Sequence, residues 1–178
     1  PTAQWTVTGA ANVFLEREGK GPFITKVCFG KIVDLGVTDA NNMGAAMAPA
    51  ALSTIKAHLS DLNRTPQDYD LIVTGDLGKV GKELLIQIAQ KEGLQLADKL
   101  EDCGTLVFDG ASQDVHAGGS GCGCSAITLC GYLLSKIKAG IYRRILFCGT
   151  GALLSPTSTQ QGMNIPGICH AVAITGGQ

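Results

Sequence analysis

The sequence predicts an α/β domain in which a mixed, mostly parallel sheet carries helices on both of its faces. Short apolar segments alternate along the chain with longer segments of helical periodicity, which is the pattern of such domains. The stretch YDLIVTG is apolar through its centre, as expected for a strand buried on both faces of a parallel sheet. The stretch after GGSGCGC is helical and apolar almost all round, which indicates a helix buried between two layers.

Two strands are predicted at the start of the chain. They are WTVTGAANVFL (residues 5–15) and FITKVCFGKIVDLG (residues 23–36), and the Gly21–Pro22 pair marks the break between them. Side chains alternate along the beginning of the second segment, so we expect its sheet to be covered on at least one face.

A helix follows these two strands. Asp39 and Asn41 are possible N-caps, and the helix is expected to begin in earnest near Pro49, since proline is tolerated in a first helical turn. His58 falls on the polar side of this helix, where we expect it to be solvated. The apolar residues that share one helical face are Leu52, Ile55, Leu59 and Leu62.

The middle of the chain is predicted as strand, helix, short strand and helix. YDLIVTG is the strand, and KVGKELLIQIAQKEG is a helix that stops at Gly93. A short strand is expected around TLVFD (residues 105–109), followed by a glycine-rich loop and a helix from about Ser120 to Lys138. The inward stripe expected for that last helix is Ala126, Cys130, Leu133 and Ile137.

Two more strands complete the predicted order. They are RRILFCGTG and GICHAVAIT, and the polar, proline-containing loop ALLSPTSTQQGMNIP joins them. The sequence contains no internal repeat and no low-complexity tract, so we expect a single domain over residues 1–178.

Composition and charge exclude several classes of function. The 14 basic and 15 acidic residues give a net charge of −1, and the basic residues are scattered, so nucleic acid is not an expected partner. No apolar run approaches the roughly 20 residues of a membrane span, and no signal peptide is recognisable. The seven cysteines show no disulfide spacing, so we expect reduced thiols in a cytosolic-type compartment. The chain does not begin with methionine, and we expect a piece of a longer protein.

The stretch DVHAGGSGCGC contains most of the candidate site residues. Cys122 or Cys124, near a helix N-terminus, could be a thiolate nucleophile with His116 as its base. The glycine-rich spacing does not fix such a hydrogen bond, so a packing or ligand-lining role is favoured. A zinc site from these three residues and Cys130 is disfavoured, because C-x-C before a cysteine in a buried helix is not a zinc pattern.

The same loop offers backbone N–H groups at the start of a helix. The sequence lacks G-x-x-x-x-G-K-[ST], so a nucleotide is not expected, whereas a small carboxylate at Gly121 is physically plausible. Asp76 follows the strand YDLIVTG, at the strand end where α/β sheets bind ligands. The alternative role for Asp76 is to cap the helix that begins near Lys79. His170 is either structural or faces a pocket.

These segments resemble the carboxy-terminal half of the thiolase fold. TGAANVFLERE is similar to the strand that closes the first half of thiolase-like enzymes, and NNMGAAMAPAALSTI is similar to a thiolase helix. DVHAGGSGCGCSAITLCGYLL stands where thiolases have a glycine-rich loop with Gly-His-Pro. The resemblance implies a thiolase-like carboxy-terminal domain over residues 1–178, in which residues 1–17 resemble the closing strand of the amino-terminal half.

A narrower resemblance is to a thiolase-like family of sporulation proteins from spore-forming bacteria. GKGPFITKVCFGKIVDLGVTDANNMGAAMAPAA, TGDLGKVGKELL and TGALLSPTSTQQGMNIPGICHAVAI carry it. It implies a protein without a cofactor that binds dipicolinic acid, a pyridine dicarboxylate, and supports its uptake into the developing spore. The implied partners are the other proteins of a membrane channel complex. The implied location is peripheral to the inner membrane of the developing spore, without a membrane span.

The residues at the chemical positions of the thiolase family favour binding over catalysis. Thr74, Gly75 and Asp76 stand at the histidine position of ketoacyl synthases, and CGTGALL replaces the C-x-G-G-G of thiolases. Each change removes a proton carrier or an oxyanion donor. An acyltransferase acting on coenzyme A thioesters stays open as the alternative, because the nucleophilic cysteine of these enzymes belongs to the other half.

The resemblance also yields a set of site residues and an oligomeric state. We predict no catalytic residue and no metal ligand; the residues predicted to line the ligand site are Asp76, His116, Gly121, Cys122 and Cys124. In the thiolase fold the helices of the two halves pack together, so this half should expose an apolar patch made of Ala126, Leu129, Cys130 and Leu133. We therefore expect a homodimer that buries the patch.

Overall fold

The structure is a computed structural model that describes residues 2–177; Pro1 and Gln178, the ends of the expected domain, lie outside the described residues. The strands are β1 (Trp5–Thr6), β2 (Phe23–Cys28), β3 (Leu71–Thr74), β4 (Leu100–Asp102), β5 (Gly119–Ser120), β6 (Arg144–Ala152) and β7 (Gly167–Thr175). The helices are α1 (Met43–Asp61), α2 (Gly78–Lys91), α3 (Cys103–Leu106), α4 (Cys124–Thr128), α5 (Leu134–Lys138) and α6 (Pro156–Gln160). A 3-10 turn covers Pro66–Asp68, and a π-helical turn covers Leu129–Leu133.

The main sheet has five strands in the order β2-β7-β6-β3-β4. Strand β3 pairs in parallel with both β4 and β6, whereas β7 is antiparallel to both β6 and β2. A separate parallel pair joins β1 to β5. Within the main sheet two of the four ladders are parallel and two are antiparallel, so the prediction of a mixed sheet is confirmed, although parallel ladders do not outnumber antiparallel ones in it.

Helices cover both faces of this sheet, as predicted. Successive side chains of a strand point to opposite faces, and β3 shows the division clearly. Ile72 packs into the core cluster formed with α1 and α2. Leu71 and Val73 pack into a second cluster, which contains Leu133 and Ile137. All four residues of β3 are buried, which explains its continuous apolar sequence.

Both predicted N-terminal strands are shorter in the structure. Strand β1 pairs only with the two residues of β5, and the last backbone bond of this pairing is donated by the Val7 N–H to the Ser120 carbonyl (2.8 Å). The prediction of a strand through residue 15 was therefore wrong. Strand β2 ends at Cys28, and backbone pairing with β7 resumes at Val33, which forms an isolated bridge with Gly167.

Helix α1 begins earlier than the sequence suggested. Asn42 is its N-cap, and the Asn42 side chain accepts a hydrogen bond from the Ala45 N–H (3.3 Å). Asp39 instead accepts the Asn41 N–H (2.9 Å) in the preceding turn, and Pro49 lies inside the helix. The expectation of a start near Pro49 was thus wrong, because side-chain capping at residue 42 satisfies the first turn.

His58 is the largest error in the prediction for α1. Its side chain is 2% exposed, not solvated, because α2 and the sheet both pack against the helix. Buried polar groups need hydrogen-bond partners, and His58 has one in Tyr69. His170, in contrast, is exposed, and its Nδ1 accepts a hydrogen bond from the Gly30 N–H (3.1 Å).

The short strand predicted at residues 105–109 lies instead at Leu100–Asp102. Asp102 ends this strand and becomes the N-cap of α3, where its side chain accepts the Gly104 N–H (2.9 Å). The capping turns the chain away from the sheet before TLVFD begins. Helix α2 ends as predicted, because Gly93 follows it with a positive φ of 77°.

The helix predicted from Ser120 begins at Cys124 and is interrupted by the π-helical turn Leu129–Leu133. The π-helical turn adds one residue between Thr128 and Leu133, which are successive buried positions of this segment. The buried residues of α4, the turn and α5 are Cys124, Thr128, Leu133 and Ile137. Ala126 and Cys130, placed inward by regular helical spacing, are therefore only half-buried. None of the helices in residues 2–177 is long and apolar enough to cross a membrane.

Candidate functional site

The carboxyl ends of three parallel strands meet at one edge of the main sheet. Asp76 follows β3, Asp102 ends β4, and Thr150 lies near the end of β6. Ligand sites of open α/β sheets lie outside this edge. The two carboxylates differ in their surroundings, which decides what each of them can do.

Asp76 is half-buried and binds the glycine-rich loop. Its Oδ2 accepts the Gly121 N–H (3.1 Å), and its Oδ1 accepts the Thr150 hydroxyl (3.2 Å). Burial raises the pKa of Asp76, and the hydrogen bonds from Gly121 and Thr150 oppose that rise. The predicted neighbours Asp76 and Gly121 are thus in direct contact. A carboxylate is bound at the Gly121 N–H, as the sequence suggested, but it belongs to Asp76 of the chain itself.

Asp102 lies at the same edge of the sheet, and the sequence analysis did not identify it. It is fully buried, and its Oδ2 accepts the Thr74 hydroxyl (2.7 Å) and the Leu77 N–H (2.8 Å). Its Oδ1 accepts the Gly78 N–H (2.9 Å) and the Gly104 N–H (2.9 Å). Asp102 therefore holds the starts of both α2 and α3. The proposed alternative role of Asp76, capping the helix near Lys79, was wrong, because Asp102 performs it.

Burial raises the pKa of Asp102 to about 6, although its hydrogen bonds from Thr74, Gly78 and Leu77 favour the charged form. The neutral acid is accommodated by Thr74. The Thr74 hydroxyl also lies 3.2 Å from the Glu101 carbonyl. It can donate to that carbonyl and accept the proton of a neutral Asp102. The sequence signal for this residue was an aspartate followed by small residues, EDCGT, which is typical of an N-cap.

The two cysteines of the loop lie in different environments. Cys122 is exposed, whereas Cys124 is buried in the core cluster beneath the sheet. Burial, together with the nearby carboxylates of Asp76 and Asp102, raises the pKa of the Cys124 thiol to about 12. The helix start therefore does not yield a thiolate at Cys124. Gly123, just before it, sits against the chain: a Cβ there would lie 2.6 Å from the Gly9 carbonyl oxygen.

His116 lies on the wall of a cavity of about 360 Å³ beside α2 and β4, and neither Asp76 nor Gly121 lines this cavity. The Lys79 N–H donates to the Ala117 carbonyl (2.7 Å), which fixes the segment with His116 against the start of α2. The cavity wall also contains Lys79, Lys82, Glu101 and Phe108.

The charges around this cavity are partly neutralised. The Lys82 ammonium lies 2.7 Å from Glu101 Oε2, and the His116 Nδ1 lies 3.5 Å from an Asp114 carboxylate oxygen. Lys79 forms no ion pair among residues 2–177. The cavity wall thus combines the Lys79 cation and the Phe108 ring with the carboxylate of Glu83, which, like Lys79, forms no ion pair among residues 2–177. No sequence pattern brings Lys79 and Phe108 together.

The residues considered for a zinc site are not grouped in the structure. No group of three or more His, Cys, Asp or Glu side chains in the described part of the chain could hold a metal ion. Cys130 is half-buried in the π-helical turn, and His116 is on the cavity wall, so the four-residue zinc set considered from the sequence is not assembled.

A family model and a relative with the same description both match this chain. A family model described as stage V sporulation protein AD (SpoVAD) matches residues 1–175. The chain is 46% identical over 171 residues to the stage V sporulation protein AD of Bacillus subtilis (strain 168), which covers 96% of this chain and 50% of that protein. The chain therefore spans about half the length of the curated relative it matches.

Two solved structures are also similar to the chain. The 3-oxoacyl-[acyl-carrier-protein] synthase III from Aquifex aeolicus VF5 matches with a TM-score of 0.43 and 14% identity, over 84% of this chain and 51% of that chain. The corresponding synthase, FabH, from Pseudomonas aeruginosa PAO1 matches with a TM-score of 0.42 and 13% identity, over 85% of this chain and 50% of that chain.

Proposed function

Since the chain belongs to the stage V sporulation protein AD family, we propose that it is a non-catalytic sporulation protein that binds dipicolinic acid. In this proposal the bound dicarboxylate is handed to a membrane channel complex that takes it into the developing spore. The chain acts with the other proteins of that complex at the inner membrane of the developing spore. The cavity at Lys79 is the observation that carries the binding part of the proposal.

Two features of the cavity suit an aromatic dicarboxylate, and one, the Glu83 carboxylate on its wall, opposes an anion. Lys79 offers a cation without an internal partner, and the half-buried Phe108 offers an aromatic face for the pyridine ring. Lys82 and His116 add further N–H donors, although each already contacts a carboxylate of the chain. A volume of about 360 Å³ leaves room for a single-ring ligand.

This arrangement refines the set of residues predicted from the sequence. His116 keeps its proposed ligand contact. Asp76 and Gly121 bond to each other, and we assign them the task of holding the glycine-rich loop beside the cavity. Cys124 supports the same loop from the core, and a ligand contact by the exposed Cys122 remains a prediction.

Four of the seven thiols of this chain are poorly suited to act as the nucleophile of an acyl transfer. Burial raises the pKa of the Cys28, Cys103 and Cys124 thiols, and contact with Cys169 raises that of Cys148. A thiol held in its neutral form is a poor nucleophile. The acyltransferase alternative places its nucleophilic cysteine in the other half, so it predicts a covalent acyl-cysteine in a protein that contains both halves, which intact mass measurement after incubation with acyl-coenzyme A would reveal.

Isothermal titration with dipicolinic acid tests the proposal directly. Two proteins are titrated. One is the 178-residue chain, and the other is a longer protein that contains both halves and is as long as the Bacillus subtilis relative. We expect saturable binding, and weaker binding of benzoic acid, which has only one carboxylate. Lys79→Met, which keeps the aliphatic stem, should weaken binding about tenfold, because it removes one charge-assisted contact. Lys138→Met changes an exposed lysine far along the chain and should leave the affinity unchanged.

The outcomes of this titration separate the parts of the proposal. No saturation at millimolar dipicolinic acid in either protein would contradict the binding function. Binding that Lys79→Met leaves intact would contradict the cavity as the site while preserving the function.

The homodimer remains a proposal of its own. Leu133, one of the four residues expected in the apolar patch, is buried in the core, which corrects the patch. Ala126, Leu129 and Cys130 are half-buried, and Tyr132 beside them is 40% exposed. We propose that a second copy covers this reduced surface.

A further inference from the structure

A buried histidine connects the end of α1 to the beginning of β3. His58 in the last turn of α1 is 2% exposed, and its Nε2 lies 2.6 Å from the hydroxyl oxygen of Tyr69, which is 1% exposed. The Arg64 Nη1 donates to the same hydroxyl oxygen (2.9 Å), and the guanidinium lies 5.8 Å from the centre of the Tyr69 ring. His58, Arg64 and Tyr69 are named the His58 cluster below.

The donors in this cluster determine where its protons lie. A guanidinium has only donors, so the Tyr69 oxygen must accept from Arg64. Among residues 2–177 the Tyr69 proton has no acceptor other than His58, so it is satisfied only when it points at a lone pair on His58 Nε2. This arrangement has a neutral His58 with its proton on Nδ1.

We propose that the His58 cluster is an acid-sensitive connection that holds α1 against the amino end of β3 only while His58 is neutral. A proton on Nε2 would place two donors against the Tyr69 oxygen. The Tyr69 hydroxyl proton would then lose its acceptor in a buried position, which is costly. A second positive charge would also lie beside Arg64.

The charged groups around His58 support this direction. Burial lowers the pKa of His58 from its usual value of 6.5, Arg64 lowers it further, and Asp61 opposes them. Helix α2, which packs on α1, brings Glu92 to Lys56, where the two form an ion pair. Tyr69 is the titratable group that touches the His58 ring from the β3 side.

The sign of the pH dependence follows from the lowered pKa. Above pH 6.5 His58 is neutral in both the folded and the unfolded chain, and the connection is complete. As the pH falls below 6.5 the unfolded chain takes up a proton that the folded chain excludes, so stability is lost until the folded pKa is reached.

Urea unfolding of the wild-type chain and of His58→Gln between pH 7.5 and pH 5 tests the proposal. Gln can accept the Tyr69 proton but does not titrate. The wild-type folding constant should fall, relative to that of His58→Gln, by up to about tenfold per pH unit below 6.5. His116→Gln removes an exposed histidine and should follow the wild type. Parallel pH profiles for the wild type and His58→Gln would overturn the proposal.

Nuclear magnetic resonance of the wild-type histidine rings provides a test that does not depend on the variant folding. The His58 signals, assigned by comparison with His116→Gln and His170→Gln, should show the proton on Nδ1 and a titration midpoint below 6.5. A proton on Nε2 at pH 7.5, or a midpoint at or above 6.5, would also overturn it.

Discussion

The carboxylates at the ends of β3 and β4 occupy neighbouring strands of one sheet edge, yet their environments are opposite. Asp102 is fully buried and accepts four hydrogen bonds, two of them from the start of α2. Asp76 is half-buried and accepts one backbone N–H and one hydroxyl. Both residues lie on the same edge, so their position does not distinguish them. They differ in burial and in the number of hydrogen-bond donors: Asp102 is a scaffold residue that holds the starts of two helices, whereas Asp76 holds a loop.

The largest effect is expected from Asp102→Ala. The substitution leaves the Thr74 hydroxyl and three backbone N–H groups without their acceptor in a buried site. We expect a loss of about 3–5 kcal/mol in the free energy of unfolding, measured with urea at pH 7. Asp109→Ala, which removes an exposed carboxylate that caps a loop, should cost at most about 1 kcal/mol. Equal losses in the two variants would refute the scaffold role of Asp102.

The pH dependence of Asp102 sharpens the same contrast. Its pKa is raised from 3.8 in the unfolded chain to about 6 in the folded chain. Between these values the unfolded chain gives up a proton that the folded chain keeps, so the Asp102 contribution to stability falls as the pH rises through 6. The loss is complete above the folded pKa and amounts to about 2–3 kcal/mol.

Measurement in the His58→Gln background is the clearest, because the histidine contribution has the opposite sign. There the penalty of Asp102→Ala should be larger at pH 4 than at pH 7. The carboxyl carbon of Asp102 should also titrate near pH 6 in a nuclear magnetic resonance experiment. A midpoint below 4 would show that the four donors outweigh burial.

Sequence patterns predicted the elements of this domain well where a single face or a single strand decides the structure. The apolar run in β3 indicated its burial on both faces, and Gly93 marked the end of α2. The mixed sheet and the helices on both of its faces were predicted correctly for the same reason. These features depend on local periodicity, which is present in the sequence.

Features that depend on distant partners were not predicted. His58 has a polar side chain on the polar side of a helical pattern; it is buried because α2 and the sheet pack against α1, and Tyr69 provides its hydrogen-bond partner. Regular helical spacing placed Leu133 and Ile137 inward correctly, but the π-helical turn leaves Ala126 and Cys130, placed on the same stripe, only half-buried. Asp102 gained its role from Thr74 and from the start of α2, some 25 residues earlier in the chain.

The candidate site shows the same limit. Contact between Asp76 and Gly121 followed from two local signals, a strand end and a helix start, that the fold brings together. The cavity required Lys79, Phe108 and His116 to converge from three segments, and none of them carries a motif. That a charged side chain and an aromatic ring meet at such a site can be determined only from the folded structure.

The smallest of the three stability effects is expected at Asp76, and it tests whether the comparison between the two carboxylates is correct. Asp76→Ala removes the acceptor of the Gly121 N–H and of the Thr150 hydroxyl, but both lie in a half-buried site that water can reach on relaxation. We therefore expect a loss of about 1–2 kcal/mol at pH 7. Asp76→Asn keeps a side-chain oxygen for Gly121 and should lose less than Asp76→Ala. Because water replaces the lost partner at Asp76 and cannot do so at Asp102, a loss at Asp76 as large as that of Asp102→Ala would end the distinction between a scaffold carboxylate and a loop-holding one.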